Sequence, residues 1–308
     1  MTMNITRGYG FFKTFYHALV PLGILLFFAA LSALLSYAIL MLAGDVISMR
    51  KIVSRGAQIF LLLSIFPLRR YLNLTWSDIG FSKRSVFFKQ VLIGLVLGLV
   101  TLMPIMLILY MLDINIIDHS REWTASKVLI RILLTLLVAV LVSLGEEPLF
   151  SGILFAGLKR KMAIGLAAFI SASYYAAFHF VKTKNDLDYE EITIGSGFEL
   201  MIEAFANVLN PEITSAFIAL FVVGSFLLVI RSQFKESIGI CIGCHAAWVW
   251  QIKMGTDFFD INKNAAHYDY LVNSYYNSII GPLVSVWLTL FIMGFFIWKQ
   301  YKGKWSNT

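Results

Sequence analysis

The sequence Ser143-Leu144-Gly145-Glu146-Glu147-Pro148-Leu149-Phe150-Ser151-Gly152 places two adjacent carboxylates inside an apolar run that extends from residue 128 to residue 158. Arg131 is the only other charged residue of that run. An ionised carboxylate at the centre of a bilayer costs about 2.5–3.5 kcal/mol on insertion scales, so a pair at that depth indicates a function. A helix end at the water interface, with both carboxylates solvated, is the alternative for this stretch taken alone.

The composition is that of a membrane protein. Of the 308 residues, 59% are hydrophobic and 14% are charged, whereas soluble domains have about 45–50% apolar and about 25% charged residues. The net charge of +7 comes from basic residues beside the apolar runs. Cytoplasmic loops and lipid headgroups explain basic residues at such places, so we expect the lipid bilayer as a partner and no nucleic acid.

Apolar runs of about 20 residues, the length that crosses a bilayer, predict an all-α polytopic membrane protein with about eight transmembrane helices. The predicted segments are residues 17–43, 53–70, 87–112, 127–158, 161–182, 212–231, 236–252 and 276–298. The fourth segment is too long for one straight crossing, so we expect a bend near Pro148. Residues 195–210 are amphipathic and predict a short interfacial helix.

Charged residues alternate between the predicted loops. Basic residues lie in the loops after the second, fourth and sixth segments and in the C-terminal tail, and the intervening loops carry most of the acidic residues. By the positive-inside rule, this pattern predicts that both termini are cytoplasmic. The exceptions are Arg50, Lys51 and Arg55. We therefore expect an integral multi-pass protein of the cell membrane, either an inner or a plasma membrane.

Two histidines lie inside predicted helices at about the depth of the two glutamates. At 1.5 Å per residue, Glu146 lies about 20 Å, His179 about 25 Å and His245 about 15 Å from the same face of the membrane. We therefore expect an active-site layer inside the bilayer. Such side chains can hold zinc and a water, or a carboxylate can activate water while histidine stabilises an oxyanion. A hydrogen-bonded cluster that only joins helices is the alternative.

Three motifs resemble those of the CPBP family, the CAAX protease and bacteriocin-processing enzymes that are also called the Abi family. The motifs are Glu146-Glu147-Pro148-Leu149-Phe150-Ser151-Gly152, Tyr175-Ala176-Ala177-Phe178-His179 and His245-Ala246-Ala247-Trp248-Val249. Their order and spacing agree with the family over about residues 125–252. The resemblance divides the chain into N-terminal helices one to three (1–124), a catalytic core of helices four to seven (125–252), and a last loop, helix and basic tail (253–308).

The resemblance implies a CAAX prenyl protease-like intramembrane endopeptidase that hydrolyses a membrane-associated protein or peptide. It implies that Glu146, Glu147, His179 and His245 are catalytic, with Glu146 as the base that activates water. If a metal is bound, zinc is the natural ion and the same resemblance makes Glu147, His179 and His245 its ligands, which would make the protein a metalloprotease. A metal-free glutamate mechanism fits the same residues.

Two positions depart from the family's pattern. Ser151 stands where the first motif usually ends in Arg, and Val249 stands where the third usually closes with Asn or Asp. The alternative function is therefore a catalytically silent membrane-binding or bacteriocin-immunity protein on the same fold. A transporter is disfavoured, because the polar residues gather in one layer with no counterpart in a second half of the chain.

Two further patterns in the apolar segments have structural explanations. Cys241-Ile242-Gly243-Cys244-His245 also matches the attachment signature for c-type haem. It lies in an apolar helix entered from the predicted cytoplasmic side, so we expect both cysteines to be small buried hydrophobic residues. The spacing of Gly94 and Gly98 predicts close packing between helices.

Overall fold

The computed structural model describes residues 10–44 and 46–305, and this part of the chain is almost entirely helical. The helices are α1 (Phe11–Ala43), α2 (Met49–Tyr71), α3 (Trp76–Ile79), α4 (Arg84–Met111), α5 (Ala125–Glu147), α6 (Phe155–Lys159), α7 (Ile164–Phe178), α8 (Ser196–Ala206), α9 (Thr214–Gln233), α10 (Ile238–Phe258), α11 (Tyr268–Leu271) and α12 (Pro282–Trp305). A π-helical turn, Pro148–Leu154, joins α5 to α6. Two short strands, β1 (Asn115–Ile117) and β2 (Phe259–Ile261), pair in antiparallel fashion.

Six segments of the described chain are long and apolar enough to cross a membrane. They are Phe11–Leu42, Met49–Tyr71, Trp76–Met111, Ala125–Lys159, Pro211–Gln233 and Pro282–Lys302. The predicted all-α polytopic membrane protein is therefore confirmed. Counted by helix length and composition, the described residues contain six such segments, whereas the sequence predicts eight. α7 has 15 residues, which is about 22 Å of helix against a hydrocarbon core of about 30 Å, and α10 contains several polar side chains.

Two predicted helices have different ends in the structure. α7 ends at Phe178 instead of residue 182, because the next residues leave the helix where Phe180 is fully buried and its carbonyl accepts a hydrogen bond from Asn207. α12 begins at Pro282 instead of residue 276, and proline is favoured in the first turn of a helix because its missing N–H is not needed there. Residues 272–281 are consequently a connecting segment. The predicted helix over 195–210 is present as α8.

Glycines let the backbones of α4 and α10 touch at the centre of the bundle. A Cβ on Gly94 or Gly98 would lie 2.2 or 2.5 Å from a backbone oxygen of α10, and one on Gly243 would lie 2.1 Å from a backbone oxygen of α4. The close packing predicted from the spacing of Gly94 and Gly98 is therefore confirmed. Trp248 Nε1 donates a hydrogen bond to Thr101 Oγ1 at 2.8 Å across the same contact and fixes the rotation of α10 about its axis.

Charged residues of the loops and helix ends gather at two opposite ends of the bundle. At one end the Asp78 carboxylate lies 3.3 Å from Lys235 Nζ and 3.4 Å from Arg160 Nη2. At the other end, where β1 and β2 pair, Arg131 binds Asp257 through two contacts of 2.5 Å. α4 and α10 both run from the first end to the second. The basic loops and the more acidic loops that the sequence distinguishes therefore lie at opposite ends of the bundle.

Candidate active site

Glu147 is the fully buried member of the glutamate pair, and both of its carboxylate oxygens are held. Its Oε1 lies 2.9 Å from His245 Nδ1, and its Oε2 accepts a hydrogen bond from Ser151 Oγ at 2.6 Å. A carboxylate with no exposed side-chain surface is stable only when its oxygens have partners. Ser151, which departs from the family's pattern, therefore has a defined role as the second partner of Glu147.

Glu146 is more open than its neighbour, with 23% of its side chain exposed. Its Oε2 lies 3.8 Å from His179 Nε2 and 3.9 Å from His245 Nε2. Within the described part of the chain, this buried oxygen has no hydrogen-bond partner. Both separations are too long for a direct hydrogen bond and are of the size at which a water molecule bridges two polar groups. Three polar atoms therefore converge on one point.

Each histidine is oriented by its Nδ1 atom. His179 Nδ1 lies 2.8 Å from the carbonyl oxygen of Tyr175, and His245 Nδ1 faces Glu147. Since both partners are hydrogen-bond acceptors, each Nδ1 carries a proton, which leaves Nε2 directed towards Glu146. The Tyr175 ring packs against both histidines, with ring centroids 4.7 Å and 5.9 Å away. The motif that begins at Tyr175 thus supplies a positioning residue as well as His179.

The π-helical turn begins where the sequence predicts a bend and fixes the end of α5. Pro148 has no N–H, so it cannot donate to the carbonyl four residues earlier. Turns of this kind inside α-helices are frequent at functional sites. Gly152 lets the turn approach α3, because an added Cβ would lie 2.8 Å from Ile79 Cγ2. The two glutamates immediately precede this turn, so its packing sets their position.

A cavity of about 190 Å³ adjoins the histidines. Its lining includes His179, His245 and Val249, together with Tyr276 and Asn277 of the connecting segment 272–281. The ring centroid of Tyr276 lies 6.4 Å from that of His179. Sequence reasoning missed Tyr276 and Asn277, because it assigned them to the first turn of the last helix. Gly281-Pro282 was a signal that the helix begins later, because glycine and proline mark turns and proline is favoured in the first turn of a helix.

A larger cavity lies elsewhere and includes none of the predicted catalytic residues. It has a volume of about 580 Å³ and is lined mainly by apolar side chains of α1, α2, the π-helical turn and α7, with Arg160 and Lys161 at one edge. Its lining includes neither His179 nor His245, whereas both histidines line the smaller cavity. The smaller cavity is therefore the one that belongs to the candidate site, whatever the difference in volume.

The structure brings all four predicted catalytic residues together, at the end of α5, the end of α7 and the middle of α10. Among the residues that the structure describes, no group of three or more His, Cys, Asp or Glu side chains is arranged to hold a metal ion. Glu147, a predicted ligand, has both oxygens engaged by His245 and Ser151. The predicted zinc thus stays a prediction, and the mechanism below has no step that uses a metal.

The two cysteines of α10 do not belong to the site. Cys241 and Cys244 are free, fully buried thiols, and Cys241 Sγ contacts the carbonyl oxygen of Leu227 at 3.4 Å. They behave as the small hydrophobic residues expected from the sequence.

Comparison with known proteins adds one finding to this geometry. Residues 128–251 match the family model described as Rce1-like, type II CAAX prenyl endopeptidase. This part of the chain, less than half of its length, is similar to that family. The resemblance predicted from the three motifs is confirmed, and the match supports a protease at the family level within an integral multi-pass membrane protein. No curated protein and no solved structure matches the chain.

The Rce1-like core extends from the beginning of α5 to the middle of α10 and contains all four candidate residues. The connecting segment 272–281 lies outside the matched residues, although three of its residues, Tyr276, Asn277 and Ile280, line the cavity of the core. Part of the lining of the cavity therefore lies outside the residues that the family model matches.

Proposed function

We propose that the protein is an intramembrane endopeptidase that hydrolyses a peptide bond by means of water activated by Glu146. One observation carries this proposal: Glu146 Oε2 has no partner in the described chain and faces two imidazole Nε2 atoms at 3.8 and 3.9 Å. A carboxylate in this position is within reach of a water that also contacts an imidazole, which is the geometry that a general base requires.

Glu146 takes a proton from the water as the oxygen attacks the carbonyl carbon of the scissile bond. The new C–O bond converts the carbonyl into a tetrahedral oxyanion. The C–N bond then breaks, and Glu146 returns the proton to the leaving nitrogen. The proton count therefore balances over the reaction, which yields a carboxylic acid and an amine from one water molecule.

The two histidines have different roles because their Nδ1 partners differ. His179 Nδ1 donates to the carbonyl oxygen of Tyr175 at 2.8 Å, and its Nε2 orients the water. His245 Nδ1 pairs with the carboxylate of Glu147 at 2.9 Å, whose negative charge stabilises positive charge on the ring as the oxyanion forms. His245 Nε2–H is then a donor directed at the reacting centre, where it stabilises the oxyanion.

The substrate is a membrane-associated protein or peptide, and the end of the bundle that carries Asp78, Arg160 and Lys235 faces the cytoplasm. This orientation rests on the basic loops that meet at that end, since such loops stay on the cytoplasmic side of a membrane. Both termini are then cytoplasmic.

Cleavage of a quenched fluorescent peptide that is farnesylated on a C-terminal Cys-aliphatic-aliphatic-X sequence tests the proposal, with the full chain purified in detergent. We expect Glu146→Gln to lower kcat by about 10²–10⁴-fold, the contribution of a general base, at an unchanged unfolding temperature. Glu199→Gln on α8, an exposed position, is the matched control and keeps the activity. Equal rates for wild type and Glu146→Gln would instead support a catalytically silent binding protein.

Metal analysis of the same preparations tests the zinc prediction separately. About one zinc per chain in the wild type, lost in the His179→Ala/His245→Ala variant, would replace the metal-free mechanism by a zinc mechanism. Activity that survives dialysis against a chelator would support the glutamate mechanism.

A further inference from the structure

The connecting segment 272–281 is held firmly beside the site, although it has no regular structure. Asn273 Nδ2 donates to the carbonyl oxygen of Glu212 and to Ser215 Oγ, both at 2.8 Å. Asn273 Oδ1 accepts from the backbone N–H of Tyr276 at 3.0 Å. The segment is therefore fastened to the beginning of α9, and Tyr276, Asn277 and Ile280 of the same segment line the cavity.

The oxygen and the nitrogen of the Asn277 amide have different surroundings. Its Oδ1 accepts hydrogen bonds from the backbone N–H groups of Ile279 at 3.1 Å and Ile280 at 2.8 Å. Two donors that point at one atom identify that atom as the oxygen, so the nitrogen must face the other way. Nδ2 has two N–H donors, and within the described residues it makes no hydrogen bond. Asn277 lines the cavity that His179 and His245 also line.

On α10, the position one helical turn after His245 offers the cavity no polar group. Val249, one helical turn after His245, lines the cavity with methyl groups only. His245 Nε2 faces the reacting centre, 3.9 Å from Glu146 Oε2. Oxyanions of tetrahedral intermediates are normally stabilised by preorganised donors in a site that excludes water. Asn277 lines the same cavity, and its amide is held by the oxygen while the nitrogen offers two N–H donors.

We infer that Asn277 Nδ2 is the second donor to the oxyanion and is a catalytic residue contributed from outside the Rce1-like core. This inference rests on the proposed function. Attack of the activated water moves the carbonyl π electrons onto oxygen, and the N–H groups of Asn277 and His245 bind that charge until the C–N bond breaks. Asn277 neither gains nor loses a proton. The backbone bonds to its Oδ1 keep the amide in position before the substrate arrives.

The competing explanation is that Asn277 only caps the turn before α12. Asn277→Asp separates the two roles, because a carboxylate oxygen still accepts from Ile279 and Ile280 while both N–H donors are lost. We expect kcat for the farnesylated peptide to fall by about 10²-fold, as when one oxyanion donor is removed. KM and the unfolding temperature should stay at their wild-type values.

Two further variants make the test specific to the amide. Asn210→Asp is the matched control: its Oδ1 also caps a turn, accepting from the N–H of Glu212 at 3.0 Å, and it does not line the cavity. Its activity should not change. Val249→Asn in the Asn277→Asp background returns an amide to the cavity, and we expect it to recover at least part of the lost kcat.

The outcomes distinguish this inference from the function on which it rests. Wild-type kcat in Asn277→Asp, together with loss of activity in Glu146→Gln, overturns the role of Asn277 and leaves the protease proposal standing. A fall in kcat that comes with a lower unfolding temperature and no recovery by Val249→Asn also overturns it, in favour of the capping role. If wild type and Glu146→Gln are equally inactive, both the proposed function and the inference fail.

Discussion

Substitution of Gly243 by alanine inserts a methyl group between the backbones of α4 and α10. The added carbon would lie 2.1 Å from the carbonyl oxygen of Val91 and 2.8 Å from the backbone nitrogen of Leu95, whereas ordinary contacts begin at 3.4 Å. Both neighbours are backbone atoms, so neither can rotate away as a side chain would. The two helices must separate by about an ångström. Overpacking of this kind costs about 1–3 kcal/mol, and we expect the upper end of that range.

The separation also reaches the site, because His245 follows Gly243 by two residues on α10. A shift of α10 by about an ångström displaces His245 Nδ1 from its 2.9 Å contact with Glu147 Oε1. Misplacement of a catalytic group by about 1 Å can lower the rate by about 10²-fold. We therefore expect Gly243→Ala to lose both stability, measured by thermal unfolding in detergent, and kcat.

Gly23→Ala on α1 is the matched control, because nothing lies within 4 Å of a Cβ at that position. Alanine is about 1 kcal/mol more favourable than glycine in a helix interior, so this variant should be as stable as the wild type or slightly more stable. If Gly243→Ala behaves like Gly23→Ala in both measurements, the helix contact does not position His245 and the reasoning is wrong.

Two other substitutions test contacts near the site. Ser151→Ala leaves the buried Glu147 Oε2 without its donor at 2.6 Å and should lower the free energy of unfolding by about 2 kcal/mol; Ser151→Thr keeps the hydroxyl, and equal losses in both would argue against the hydrogen bond. Arg131→Gln removes the partner of Asp257; because the side chain of Arg131 is 47% exposed, the loss should be about 1 kcal/mol. Adding Asp257→Asn should recover part of that loss, whereas additive effects in a chemical unfolding cycle would exclude a functional ion pair.

The sequence predicted the elements of the site that obey local rules. Residues 143–152 stand out because two charges in an apolar run are costly, and a regular helical rise was sufficient to bring Glu146, His179 and His245 to one depth. The spacing of Gly94 and Gly98 predicted a close helix contact, because only a missing side chain permits backbones to touch.

Other features depend on contacts between residues that are distant in the chain. The complete burial of Glu147 and the contact of its Oε1 with His245 Nδ1 are such features, and no periodic pattern encodes a contact of this kind. Ser151 looked like a loss from the family's motif until its hydroxyl was found on Glu147. Asn277 was assigned to a helix because residues 276–298 are apolar on average, and hydropathy does not register a tight turn at Gly281 before a proline.

The π-helical turn between α5 and α6 gives this stretch a tolerance to deletion that α5 lacks. A π turn closes its hydrogen bonds over five residues instead of four, so it accommodates an additional residue relative to an α-helix. Removal of one residue between 148 and 154 would therefore turn this stretch into ordinary α-helix while α5 and α6 keep nearly their relative orientation. Removal of one residue inside α5 has no such compensation, because it rotates the part of the helix before the deletion by about 100° relative to Glu146 and Glu147.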